Sequence, residues 1–254
     1  MDSSMAYFGG KSKLANEIIK HFPKHICYCE PFCGAAWVFF RKEPSKTEIL
    51  NDKDEELVNF FRILQNHLEE FLKQFKYFII SRKIFDILKR QDVFTLTDIQ
   101  RAVKYFYLLK TSFGAKAIDQ TFGYKTSGKP ALNLLALEET LLEIHWRMAK
   151  VFIENLDYQI CIKKYDRKHT LFYLDPPYYN IGGYKYNLNK DDFLEMSDIL
   201  ANIKGKFILS LNDHKDVRKI FKSFKFVNVG TKYTICNTKE SRAKVRKELL
   251  IKNF

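Results

Sequence analysis

Residues 26–52 read ICYCEPFCGAAWVFFRKEPSKTEILND, and their order decides the fold. A short apolar run at 26–30 meets Pro31, which removes a backbone donor and stops a strand. Small residues follow (Cys33, Gly34, Ala35, Ala36), then a stretch through Arg41 that reads as a helix. A second strand is expected at 47–51, ended by Asp52, with a helix from about 53 to 66. Two strands that each feed a helix within about 40 residues open a parallel, doubly wound sheet.

Upstream, residues 11–22 (KSKLANEIIKHF) place Leu14, Ile18 and Ile19 on one helical stripe that stops at Pro23. Downstream, strands are expected at 151–155, 170–175, 206–211, 225–229 and 248–253, with helices around 190–204 and 213–222. These strands are continuously apolar, the pattern of a sheet covered on both faces. Between the halves, residues 69–141 show helical periodicity and a high density of Lys, Arg, Phe and Tyr. Thr97 and Gln100 form a capping-box pattern for a helix through Leu109. Gly114, Gly123, Gly128 and Pro130 mark 114–130 as an exposed loop. The expected class is α/β, a Rossmann-like doubly wound sheet at 1–66 and 137–254, interrupted by a helical insertion at 67–136 that supplies a binding surface.

The chain carries 43 Lys plus Arg against 30 Asp plus Glu, a net charge of +13. Such a field concentrates polyanions, with nucleic acid or an acidic membrane surface the usual partners. No apolar run approaches the roughly 18 residues that cross a bilayer. Residues 1–5 lack the basic-then-apolar layout of a signal peptide, so a cytoplasmic location is expected. Cys27, Cys29 and Cys33 follow no common zinc spacing, and reduced structural thiols without a metal are expected.

Three features fall at strand ends, where open α/β sheets bind ligands. The turn at 30–36 lets a cofactor approach the backbone of Pro31, Phe32 and Gly34; tight packing alone could also call for it. Asp52, 18 residues beyond Gly34, has the spacing of a carboxylate that grips ribose hydroxyls. A helix N-cap is its other reading, and Asp54 is a competitor expected inside the helix. The third feature is Asp175-Pro176-Pro177-Tyr178, closing the strand TLFYLD. The prolines hold the Asp175 carboxylate and the Pro176 carbonyl at the sheet edge as two acceptors beside an aromatic face. An exocyclic amine on a flat ring matches them; a plain strand terminator with a solvated Tyr is the alternative.

The motif order resembles that of the Dam-like, alpha-group (D12 class) adenine-N6 DNA methyltransferases, and the likeness spans nearly the whole chain. Tyr7-Phe8-Gly9-Gly10-Lys11 resembles the family's N-terminal cofactor motif, 31–36 its Pro-Phe-x-Gly-x-Gly turn, and Asn51-Asp52 its second-strand acid. Asp175 to Tyr178 resembles its catalytic motif, and Ser241-Arg242 with the strand 248–254 its closing hairpin. Ala36 departs from the usual last glycine of the turn. The resemblance implies a methyltransferase sheet with an inserted target-recognition region. It implies that S-adenosylmethionine contacts Tyr7, Lys11, Asp52 and Asp175, with Asp157 and Tyr158 at the cofactor adenine. It also implies methylation of adenine N6 in double-stranded DNA by Asp175, Pro176, Pro177 and Tyr178, on a flipped-out base stacked by Tyr178. Lys110, Lys116, Lys125 and Arg242 are the expected DNA contacts. GATC is the target the family suggests, with a monomeric enzyme and a cognate restriction endonuclease acting separately.

Three other readings share parts of this pattern. RNA adenine or cytosine N4 would use the same chemistry, and a non-catalytic DNA-binding protein could keep the fold. A Rossmann-type oxidoreductase lacks its G-x-G-x-x-G after the first strand. Cytosine C5 chemistry needs a Cys nucleophile, and none lies near Pro176.

Overall fold

A computed structural model describes residues 11, 14–115, 118–124, 126–130, 132–232 and 245–254. Its strands are β1 (Cys27–Glu30), β2 (Thr47–Asn51), β3 (Phe152–Glu154), β4 (Thr170–Leu174), β5 (Lys206–Asn212), β6 (Lys225–Lys232) and β7 (Val245–Lys252). They form one seven-stranded sheet in the order β3-β2-β1-β4-β5-β7-β6. The ladders from β3 through β5 are parallel, while β7 runs antiparallel to both β5 and β6. Strand order reverses between β1 and β4, because the chain builds outward through β2 and β3 before returning to β1's other side. A crevice at the C-terminal ends of β1 and β4 is the ligand site such a reversal creates.

The apolar strands are explained by their two buried faces. Tyr28, Leu50, Leu171, Tyr173, Ile208 and Leu250 enter one apolar cluster. Their chain neighbours Cys29, Ile49, Phe172, Leu174, Leu209 and Leu249 enter another. Successive side chains of a strand point to opposite faces, so both sets must be apolar when helices cover both. The thiols that are clustered in sequence are divided between the two faces, because Cys33 lies in the turn beyond β1. Cys27 and Cys29 join Cys161 on one face, and Cys33 belongs to the other cluster.

The helices are α1 (Ala15–Ile19), α2 (Trp37–Arg41), α3 (Glu55–Asn66), α4 (Leu68–Phe75), α5 (Arg82–Arg90), α6 (Asp98–Thr111), α7 (Leu137–Met148), α8 (Tyr158–Tyr165), α9 (Lys190–Asn202) and α10 (Lys215–Ile220). Helix α1 is shorter than the periodicity suggests. His21 and Phe22 bond back only three residues, to Ile18 and Ile19, so the last turn tightens before Pro23. Helix α3 begins two residues after the expected start because Asp54, not Asp52, caps it. Thr97 and Gln100 form the expected capping box at α6. Among the described residues, no helix is long and apolar enough to cross a membrane.

Between β2 and β3 the helices pack through aromatic rings. Phe60 of α3 stacks on Phe106 of α6 at 5.4 Å, and Phe71 of α4 meets both edge-on. Phe71, Phe85 and Phe106 belong to the same apolar cluster as Leu50 and Leu171 of the sheet. Polar ties add to this: Asn59 donates to the Asp98 carbonyl at 2.8 Å, and Arg101 pairs with Glu55 at 2.8 Å and with Glu56. The segment after α6 is pinned at its base. An antiparallel bridge joins Ser112 to Phe122, and Gly123 donates to the Thr111 carbonyl at 2.7 Å. A Cβ at Gly123 would stand 3.0 Å from the Phe113 nitrogen, so the close approach calls for glycine.

At the opposite end of β2, Glu48 is buried among two cations. Arg147 of α7 donates to its two oxygens at 2.5 and 3.0 Å, and Lys42 pairs with it as well. This cluster fastens α7 and the end of α2 to the sheet. Burial opposes the Glu48 charge, but Arg147 and Lys42 overcome it and hold the carboxyl below its usual range.

Candidate active site

A cleft of about 200 Å³ opens at the strand-order reversal, walled by the 31–36 turn, the end of β2, the start of α8 and the segment after β4. Lys11, Pro31, Phe32, Gly34, Asp52, Asp157, Tyr158, Asp175, Pro176 and Pro177 all line it. The fold thus gathers residues from five separate stretches of chain into one wall. Tyr7, Lys116, Lys125 and Arg242 lie outside the described residues. Lys110 is elsewhere, in the last turn of α6, half-buried with its amine 5.9 Å from the Phe106 ring; burial pulls its pKa down.

The turn is held open by its backbone. Gly34 and Ala36 both have left-handed φ, +47° and +53°, and Cys33 donates to the Asn51 carbonyl at 2.9 Å. Ala36 occupies the position where the resembled turn carries glycine, and it adopts a glycine-like conformation there. Asn51 ties three strand ends together. It donates to the carbonyls of Pro31 at 2.9 Å and Leu156 at 3.0 Å, and accepts from the Leu156 nitrogen at 2.8 Å.

Asp52 accepts from the Gly34 nitrogen at 2.9 Å and the Asp54 nitrogen at 3.0 Å. These bonds aim its carboxylate along the turn, while burial raises its pKa to about 6. Asp54 is not inside the helix as expected. It is the N-cap, buried, and it accepts from Lys185 at 2.6 Å. Two aspartates two residues apart are both plausible caps, and Asp52 is drawn away from that role by the Gly34 amide. Across the cleft, Tyr158 lies 5.0 Å from Phe32 with ring planes 31° apart, giving two aromatic surfaces side by side. Asp157, which precedes α8, pairs with Lys53 at 2.7 Å on the exposed rim.

At the other end stands Asp175, immediately after β4, with its side chain 22% exposed. Lys11 donates to its Oδ1 at 2.6 Å and to the Tyr178 hydroxyl at 2.6 Å, and lies 3.1 Å from Glu248 of β7. Three partners match the three donors of an ammonium. Burial opposes the charge on Lys11, but Asp175 and Glu248 hold its pKa well above the ordinary lysine value. Burial raises Asp175 to about 6, partly offset by Lys11. Tyr178 turns its hydroxyl to Lys11 and Glu248, and the ammonium sits 4.5 Å from its ring centroid. Burial pushes that hydroxyl's pKa well up.

Several contributors escaped the sequence reading. Glu30 ends β1, is 1% exposed, lines the cleft and accepts from Tyr28 at 2.6 Å; burial raises its pKa to about 8. A lone acid closing an apolar strand was the available signal. Glu248 stands inside β7, just before its apolar run of Leu249, Leu250 and Ile251. Nothing local marked Asn51 as a staple or Lys185 as a partner of Asp54.

A seven-stranded sheet with an antiparallel last pair, and a cleft pairing a strand-end acid with an Asp-Pro-Pro-Tyr edge, defines a Rossmann-like methyltransferase. Residues 7–235 match the D12 class N6 adenine-specific DNA methyltransferase family, and the chain belongs to that family. It is 27% identical over 272 residues to the DNA adenine methylase of Haemophilus influenzae, covering 97% of this chain and 92% of that protein. It is 24% identical to the DNA adenine methylase of Salmonella typhi over 186 residues, 68% of this chain and 64% of that one. The Escherichia coli K12 DNA adenine methylase is 33% identical over 69 residues, 27% of this chain and 24% of that protein.

Proposed function

We propose that this member of the adenine-N6 DNA methyltransferases binds S-adenosylmethionine in the cleft and methylates a flipped-out adenine at Asp175. The observation that carries the reading is one cleft lined by both Asp52, after β2, and Asp175, after β4, on either side of β1. The donor set fits the cofactor. Asp52 supplies acceptors for ribose hydroxyls, Phe32 and Tyr158 supply aromatic surfaces for its adenine, and Asp157 and Gly34 complete that wall. When bound, the cofactor supplies an electrophilic methyl group on a sulfonium.

The chain's own residues do the rest by positioning and electrostatics. Adenine N6 is a poor nucleophile because its lone pair is delocalised into the ring. Asp175 and the Pro176 carbonyl accept hydrogen bonds from its two N–H groups and favour a pyramidal nitrogen with a free lone pair. Pro176 and Pro177 keep both acceptors out of the sheet ladder. Tyr178 supplies a plane for the extruded base, a contact worth about 1–3 kcal/mol in comparable sites.

Residues 67–136 form the target-recognition segment in this reading, with Lys110, Lys116, Lys125 and Arg242 on phosphates and GATC as the first target to test. The enzyme acts as a cytoplasmic monomer, with any restriction endonuclease separate. Asp175→Ala is expected to abolish transfer of tritiated methyl to duplex DNA while leaving DNA binding largely intact. Normal labelling by that variant overturns the assignment. Digestion of the product to nucleosides, read by mass, distinguishes N6-methyladenine from N4-methylcytosine, and single-molecule sequencing of host DNA gives the target.

A further inference from the structure

We infer that Glu248 is a positioning residue for methyl transfer, its buried carboxylate holding Lys11 and the Tyr178 hydroxyl in place around Asp175. The inference rests on the reading that Asp175 accepts the amine. Glu248 pairs with Asn212 in the β5–β7 ladder and is 2% exposed. Ser210 donates to its Oε1 at 2.5 Å, and Tyr178 donates at 2.9 and 2.8 Å to its two oxygens. Lys11 therefore stands between two carboxylates, 2.6 Å from Asp175 and 3.1 Å from Glu248.

That division matters because an ammonium and an adenine amine compete for the same acceptor. A Lys11 with Asp175 as its sole anionic partner would be drawn fully onto that carboxylate and would occupy the oxygens the amine needs. Glu248 draws the cation back and keeps it on Oδ1. Tyr178 is fixed by the same carboxylate, since its hydroxyl accepts from Lys11 and donates to Glu248. An antiparallel β7 lying directly beside β5 brings this carboxylate within 3.1 Å of Lys11, which lines the cleft.

A purely structural Glu248 and a positioning one differ in pH dependence. Among the described residues, the charged and titratable groups facing Asp175 are Lys11, Glu30, Glu248, Tyr173, Tyr178 and Tyr184. Among them Glu248 raises the Asp175 pKa and Lys11 lowers it. Glu248→Gln keeps an acceptor for Ser210 and Tyr178 but loses the charge. Asp175 should then ionise more readily while its oxygens become less available.

The test is the single-turnover methyl-transfer rate against pH, with saturating S-adenosylmethionine and duplex DNA, beside calorimetric binding of S-adenosylmethionine. For Glu248→Gln the acid limb is expected to move down by about one pH unit. Its plateau rate should fall by about tenfold to a hundredfold, with cofactor affinity within about threefold. Lys11→Met should move the limb the other way. A Glu248→Gln limb that stays in place or moves up overturns the inference. Glu248→Asp keeps the charge but withdraws it by one methylene, and should lose about tenfold in rate with little limb movement. Should the Gln variant be insoluble, a wild-type rate in Glu248→Asp overturns the inference. Asp175→Ala separates the two proposals. If it still transfers methyl, the role of Asp175 fails; if it is inactive while Glu248→Gln behaves as wild type, only the positioning role fails.

Discussion

Lys185, on the segment between β4 and α9, donates a 2.6 Å hydrogen bond to Asp54, the residue that caps α3. Both residues line the cleft, so the bond closes a strap over it. Nearby, Asn180 and Gly183 take left-handed φ of +55° and +103°, where the segment turns. A partly exposed pair of this kind contributes about 0–1 kcal/mol. Lys185→Met should therefore weaken cofactor binding by no more than about fivefold, while raising association and dissociation rates together. Stopped-flow binding checks this, and unchanged rates would show that the strap does not gate entry.

Ala36 is a test of backbone strain. It is 1% exposed with φ at +53°, a region that costs a non-glycine residue roughly 1–2 kcal/mol. Ala36→Gly relieves that cost but gives up a buried methyl worth about 0.8 kcal/mol and adds chain entropy. The expected change in urea-unfolding free energy is within about 0.5 kcal/mol of zero. Ala36→Val, β-branched in the same backbone region, should lose about 2 kcal/mol or more.

Glu30 sets a pH dependence opposite to that of most carboxylates. Its folded pKa is raised to about 8, first by burial, against roughly 4.3 in an unfolded chain. The folded state therefore holds the extra proton, and the resulting stability is complete below the unfolded pKa and lost as pH rises through about 8. Asp52 and Asp175, each raised to about 6, finish titrating earlier. Between about pH 6.5 and 8.5 the wild-type melting temperature should fall, and Glu30→Gln should flatten that decline. An identical slope in the variant would refute the burial argument.

Glu48 behaves in the reverse sense. Its folded pKa is lowered, so its contribution is present above the unfolded value and lost as pH falls through the folded one. Glu48→Gln leaves Lys42 and Arg147 without their anion and should cost about 3–5 kcal/mol. Because the cluster lies at the end of β2 away from the cleft, cofactor affinity of the folded variant should be unchanged. Denaturant unfolding and calorimetry separate the two effects.

The sheet was legible because strands buried on both faces carry unbroken apolar runs, as in residues 171–174 and 207–209. The chemistry was legible where it is local, in Asp175 and its two prolines and in the distance from Gly34 to Asp52. Long-range pairs were not. Lys11 and Asp175 are 164 residues apart, and Lys185 and Asp54 are 131 apart, so no window of sequence contains either bond. The start of α3 was misread by two residues because periodicity cannot choose between neighbouring acids as caps. Only the Gly34 amide, brought close by folding, makes the choice.

The ring stack of Phe60 on Phe106 joins α3 to the helical segment that follows it, and Arg101 clasps Glu55 and Glu56 beside it. If residues 67–136 carry target recognition as proposed, such a seam restricts how a new sequence preference can arise. A graft of residues 67–136 from a relative would have to match those rings and that guanidinium or leave a torn seam. On the same proposal, variation between the bridged residues Ser112 and Phe122 leaves the seam intact and is the easier route to a changed preference.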